Sequence, residues 1–358
     1  MITVIIFIII LGILIFVHEL GHYLVAKKND VKVEEFGFGF PPRIWGIKKG
    51  ETVYSINLIP LGGFVKIFGE EGEGRQDYRS FASKKIWRRA AILVAGVSMN
   101  IMLAIFLVSL GYAIGLPTAV DDSQNFANAK VQITDVAIGS PASAAGIKAG
   151  DTIVALSGPS GEIGNIQKVA TMQDFTDVNK GKNIFVDLKR GKDVITVEIT
   201  PRANPPANEG PLGVGLARVT TVSFSWYRAI YEGIVTVLDI TWATILALGY
   251  LLWQLISQGK VAGDVTGPVG IYSLTSQAAQ MGFVYLLQLT VLLSVNLAII
   301  NVLPLPALDG GRLLFLLIEK IKGSPVKQTV ERAVHTAGFV FLLALMLLIT
   351  IRDLLRIF

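Results

Sequence analysis

Five nearly uncharged runs, at residues 2–17, 90–116, 240–256, 281–311 and 337–351, interrupt a chain that is otherwise polar. An α-helix rises 1.5 Å per residue, so about 20 apolar residues cross the ~30 Å of hydrocarbon in a bilayer, and several of these runs are long enough. Basic residues bunch beside them at Lys27, Lys28, Lys84, Lys85, Arg88, Arg89, Lys320, Lys322, Lys327 and Arg332. Cytoplasmic loops of membrane proteins carry that bias. The pattern predicts a polytopic helical membrane protein. The first run has no basic residue before it and two lysines after it, the reverse of a secretory signal, so it is expected to be a retained helix with its start outside.

Between the runs the periodicity changes. Residues 27–85 are glycine-rich, and short apolar pieces such as Thr52 to Asn57 and Gly62 to Ile67 predict strands of a small hairpin or sheet associated with the membrane. A second spanning helix is expected over 86–116, stopped by Pro117. From 118 to 218 the composition is that of a soluble domain, with alternating strands at Val131 to Val136 and at Asn183 to Leu188. About 100 residues suffice for a separate core. Residues 224–282 read as helices and loop, 283–311 as a third span, and 333–353 as a fourth.

Composition narrows the class. At 52% apolar and 16% charged residues, the 358-residue chain is not an ordinary water-soluble enzyme. Its net charge of +5 is accounted for by the flanking lysines and arginines, so no nucleic-acid partner is expected, and the partner surface is a lipid bilayer. With no cysteine, disulfides and thiolate chemistry are absent, and any metal has to be held by histidine and carboxylate.

Two of the three histidines, His18 and His22, flank Glu19 and Leu20-Gly21 in the first run. On a helix, positions i and i+4 share a face, so both imidazoles can reach one Zn²⁺ while the glutamate between them handles a proton of water. Ionisable groups inside an apolar helix are costly and point to function. A catalytic zinc needs a third protein ligand, and His335 and Asp309 are the candidates. His335 sits beside Glu331 and Arg332 at the start of the last run, where an interfacial or packing role suits it. Asp309 is the better ligand: it is the only acid between Asp264 and Glu319, in a stretch broken by Pro304, Pro306, Gly310 and Gly311. Irregular backbone at membrane depth is tolerated where protein or a water-filled cavity covers it.

Together, His18-Glu19-Leu20-Gly21-His22, the run from Asn301 through Pro304 and Pro306 to Asp309-Gly310, Gly267-Pro268-Val269-Gly270 and the stretch from Ile56 to Lys66 resemble the site-2 protease family of intramembrane zinc metalloproteases, in its bacterial regulator-of-sigma-E type. The resemblance implies that His18, His22 and Asp309 bind zinc and that Glu19 is the general base. It associates Asn301, Pro304 and Pro306 with substrate handling, and likens the stretch holding Asn57, Gly62 and Gly63 to a membrane-re-entrant β-hairpin that offers an edge to substrate. The implied substrates are transmembrane segments of single-pass proteins, such as anti-sigma factors or remnant signal peptides, in a bacterial cytoplasmic (inner) membrane. Residues 139–156 resemble part of a PDZ domain, which implies an extracytoplasmic α+β insert that takes a peptide or C-terminus at its groove.

Topology then bears on 224–258. For Asp309 to reach the depth of His18, the chain has to re-enter from outside after the second span, which predicts four transmembrane helices and a helix over 224–258 lying at the outer surface or packed against the bundle. Two rivals fare worse. A zinc transporter would need further metal-binding groups along a path, and a silent scaffold would be expected to lack Glu19 or a ligand.

Overall fold

The structure, a computed structural model, describes residues 2–123, 126, 128–191, 193–207, 209–258 and 267–357. In chain order it forms α1 (Ile2–Lys28), β1 (Val33–Lys49), β2 (Thr52–Ile67), α2 (Ile86–Ile114), β3 (Leu116–Ala119), β4 (Lys130–Val136), α3 (Pro141–Ala144), β5 (Thr152–Gly158), β6 (Gly161–Gly164), α4 (Val169–Val178), β7 (Ile184–Arg190), β8 (Asp193–Ile199), β9 (Val214–Val222), α5 (Trp226–Gln258), α6 (Pro268–Met281), α7 (Phe283–Val302), α8 (Asp309–Lys322) and α9 (Gln328–Ile357). Part of the 224–282 segment, residues 259–266, lies outside the described residues. The contacts divide the chain into two units, Met1–Ser109 with Ile230–Thr275 and Gln288–Phe358, and Leu110–Ala229 with Ser276–Leu287.

In the first unit the helices differ in how much apolar surface they bury. Among the described residues, α1, α2, α5, α7 and α9 are five helices long and apolar enough to cross a membrane. The most apolar 18-residue window of α2 is 44% buried and that of α7 33%, against 6% for α5 and for α9. The unit is therefore organised around α2. Its buried positions Leu93, Val97, Asn100, Ala104 and Val108 follow helical spacing, and α7 presents Val291, Ser294, Val295 and Ala298 in the same way.

Close approach of α1 to α2 depends on small residues, as expected where van der Waals contact rather than the hydrophobic effect drives helix association in lipid. A Cβ on Gly21 would stand 2.4 Å from the carbonyl oxygen of Ala95, so backbone meets backbone there. On the polar side, Arg89 of α2 grips Glu319 of α8 through two hydrogen bonds, Nη1 to Oε2 at 3.0 Å and Nη2 to Oε1 at 2.5 Å.

The β1–β2 pair departs from the short broken strands expected. Glu35 to Phe38 pair with Lys66 to Gly63 on one side and with Val53 to Ile56 on the other, while Trp45 to Lys49 pair with Ile56 to Thr52. The two strands thus fold back and lay four runs side by side. Gly39 (φ +80°) and Gly62 (φ +117°) supply backbone angles that other residues rarely adopt, and allow the bend. The sheet lies against α1, with the rings of Phe16 and Phe36 5.6 Å apart edge to face.

The second unit has a sheet in the order β3-β9-β4-β5-β7-β8, with β6 on β5. Val131, Ile133, Leu156, Ile184, Val186 and Leu188 fill its core, and Met172 and Phe175, one helical turn apart on α4, close over them. Asp151 is 1% exposed and neutralised by Arg190, which donates from Nε (2.7 Å) and Nη2 (2.6 Å).

Candidate active site

α1 projects His18 and His22 from one face, and the break between α7 and α8 delivers Asp309 to them. Pro304 and Pro306 lack the N–H groups that would carry α7 onward, so the helix stops at Val302 and restarts at Asp309. The link is tightly folded: a Cβ on Gly310 would lie 2.1 Å from the Leu303 carbonyl oxygen, and one on Gly311 2.3 Å from that of Leu305. From α9, His335 Nδ1 accepts a hydrogen bond from the Ala307 N–H at 2.9 Å, where Ala307 has a left-handed φ of +73°. Gly338, one turn on, leaves room for Pro306, which a Cβ there would meet at 2.3 Å. His335 thus braces the link through its backbone and is not part of the cluster that His18 and His22 form with Asp309.

Among the described residues, the three-membered group of metal-capable side chains is His18, His22 and Asp309, with ligand atoms all within 4.8 Å of one another. The closest donors form a nearly equilateral triangle: His18 Nε2 to Asp309 Oδ2 is 3.1 Å, His22 Nε2 to Asp309 Oδ2 3.2 Å, and His22 Nε2 to His18 Nε2 3.2 Å. Tetrahedral zinc with bonds of ~2.0–2.1 Å separates its ligand atoms by ~3.3 Å, so the triangle has the dimensions of one face of such a site. The outer ring nitrogen of His22 fits as well. Its Nδ1–H donates to the Ile92 carbonyl at 2.8 Å, which leaves the Nε2 lone pair free for metal. Two buried imidazoles and a carboxylate, without thiols, are the donor set of a catalytic zinc.

Glu19, half-buried, faces the sheet: a Cβ on Gly63 would lie 3.8 Å from Glu19 Cγ and 3.7 Å from Ile15 Cγ2. The Gly62–Gly63 stretch of β2 therefore runs beside the carboxylate. Asn57, 4% exposed, donates through Nδ2 to the Gly39 carbonyl at 3.0 Å and braces the sheet from within. Asn301 is half-buried in the last turn of α7, and Pro304 is exposed.

Sequence reasoning passed over Gly96. A Cβ there would stand 2.4 Å from His22 Nε2 and 2.8 Å from His18 Cε1, so α2 leaves a glycine-sized hollow for both rings. Replacing Gly96 by Val is expected to displace the imidazoles and lower zinc content more than tenfold in the purified protein. Gly164→Val, where a Cβ meets nothing within 4 Å, is expected to keep it. Elemental analysis of both variants tests this; full zinc in Gly96→Val would contradict the packing described.

The model of peptidase family M50 matches residues 6–345. A Clostridium acetobutylicum protein named as a zinc metalloprotease is 37% identical, across 98% of this chain and 97% of its own. The regulator of sigma-W protease RasP of Bacillus subtilis is 32% identical across 99% of both chains. The chain belongs to peptidase family M50, the site-2 protease family, and is a zinc metalloprotease embedded in the membrane.

Proposed function

We propose that the chain is an endopeptidase that cuts transmembrane segments of single-pass proteins inside the bilayer, with His18, His22 and Asp309 as zinc ligands and Glu19 as general base. The observation that carries this reading is the triangle of donor atoms at 3.1–3.2 Å beside Glu19 and the Gly62–Gly63 stretch. Zinc held there supplies a Lewis acid that polarises the scissile carbonyl and acidifies water. Glu19 takes a proton from the attacking water and returns it to the leaving nitrogen, so no acyl-enzyme forms. A helical peptide bond is shielded by its own hydrogen bonds, and substrate has to unwind first. The strand run at Gly62 and Gly63 offers it extended pairing next to Glu19, while Asn301, Pro304 and Pro306 line the approach from the α7–α8 link and Asn57 keeps the sheet in shape. Anti-sigma factors or remnant signal peptides fit as substrates; the sigma-W regulator's name points the same way for that relative.

Four crossings, by α1, α2, α7 and α9, are part of the proposal. Its support is that Asp309 lies 3.1 Å from His18 and that Glu319 pairs with Arg89 at the start of α2. α2 and α7 then run in opposite directions, which requires α5 not to cross and puts residues 118–218 outside a cytoplasmic membrane. Exposed aromatics such as Trp226, Tyr227, Trp242 and Trp253 suit α5 to the interface. The second unit, with its strand-and-helix build, acts as a PDZ-like filter that rejects substrates with bulky outer domains.

Glu19→Gln is expected to lower cleavage of a single-pass substrate by at least ~10²–10⁴-fold with zinc still bound, since only the base is lost. Near-normal turnover would remove Glu19 from the mechanism. Because the chain has no cysteine, single cysteines report topology directly. Glu162→Cys and Gln258→Cys are expected to react with an impermeant thiol reagent applied to intact cells, and Ser324→Cys only after permeabilisation; protection of Gln258→Cys would make α5 a fifth crossing. Deleting residues 118–218 is expected to leave cleavage of a pre-trimmed substrate intact and to admit an untrimmed one. Equal loss on both, in a folded and zinc-loaded protein, would make the insert part of the catalytic machinery.

A further inference from the structure

His18 turns Nε2 toward Asp309, and its other ring nitrogen, Nδ1, meets a side chain from α2. Asn100 Nδ2 stands 3.3 Å from it. Asn100 is fully buried, and its backbone carbonyl accepts from the Ser294 hydroxyl of α7 at 2.8 Å, so α1, α2 and α7 meet at this residue. Its Oδ1 has no hydrogen-bond partner.

The tautomer of His18 decides what Asn100 has to offer. With Nε2 protonated and donating to Asp309, Nδ1 is an acceptor and the amide N–H suits it. With the Nε2 lone pair given to a metal, the ring proton sits on Nδ1, and an amide N–H facing it would oppose donor to donor. Half a turn of the amide about Cβ–Cγ exchanges oxygen for nitrogen and places Oδ1 against Nδ1–H; the two orientations occupy the same volume. Asparagine therefore has a partner for the ring in both tautomers, which no apolar residue of its size has.

We propose that Asn100 is a positioning residue for zinc: its Oδ1 accepts from the His18 Nδ1–H in the metal-bound enzyme, and so fixes the tautomer and ring plane that present Nε2. It does for His18 what the Ile92 carbonyl does for His22. Outer partners of metal-bound histidine are typically worth 10–100-fold in metal affinity. The inference rests on the zinc reading of His18, so its test carries a control for that reading.

The readout is the zinc dissociation constant of the detergent-purified protein, from competition with a chromophoric chelator, with melting of the metal-free protein as the check on folding. Asn100→Leu, which offers no acceptor, is expected to bind zinc 10–100-fold more weakly. Asn100→Asp, which keeps the acceptor and drops the amide N–H, is expected to bind within a few-fold of the unmodified protein or more tightly. In ¹⁵N spectra of the imidazoles, simple because the chain has three histidines, zinc-loaded Asn100→Asp is expected to keep His18 protonated on Nδ1. Unchanged affinity in a folded Asn100→Leu protein would overturn the proposal, and so would an equal loss in both variants. If Asn100→Leu does not fold, Asn100→Asp decides alone: a loss beyond tenfold overturns the proposal. Asp309→Ala is the control. Unaltered zinc binding there would sink the ligand assignment itself, whereas loss there with no effect at Asn100 sinks only this inference.

Discussion

Everything in the first unit serves the convergence of three donor atoms, two from α1 and one from the restart of a helix nearly three hundred residues later, onto a triangle 3.1–3.2 Å on a side. In hydrocarbon each of these groups is expensive alone, and the expense is offset when they share a cation. The triangle can form only if α1 and the α7–α8 link are held on the same flank of α2. Gly21 and Gly96 let α2 approach backbone and imidazoles, and the Arg89–Glu319 pair ties the helix that begins with Asp309 to the start of α2.

The same constraint accounts for the broken helix. A continuous α7 would carry Asp309 past the site on a rigid rod. Pro304 and Pro306 end the rod, Gly310 and Gly311 allow a link too tight for any side chain, and His335 with Gly338 hold that link from α9. Behind the three donors stand further polar groups: the Ile92 carbonyl on His22, and on His18 Asn100, whose backbone carbonyl accepts from Ser294. The geometry of the donor triangle is thereby set by helix packing.

What was legible in the sequence was local. The i, i+4 spacing of His18 and His22 is a property of one helix, and Asp309 stood out as a lone acid among prolines and glycines. The alternation at Val131 to Val136 falls within β4, and that at Asn183 to Leu188 overlaps β7. What escaped depends on distant pairing. β1 and β2 run 17 and 16 residues, longer than the pieces suggested, because each pairs twice across bends at glycine, and no local pattern encodes that. An interfacial or packing role suits His335 from sequence, but that its partner is the Ala307 N–H, 28 positions away, no local pattern encodes, and Gly96 carries no periodic signal at all. Hydropathy finds five candidate helices among the described residues and has no means of telling a crossing from a helix at the interface.

X-ray absorption at the zinc edge of the purified, zinc-loaded protein measures the central claim directly, because imidazole rings scatter characteristically beyond the first shell. Nitrogen and oxygen neighbours alone are expected at ~2.0–2.1 Å, with outer-shell scattering from two imidazoles. Three imidazoles would bring His335 into the site, and one or none would break the pairing of His18 with His22; either result would contradict the zinc centre described.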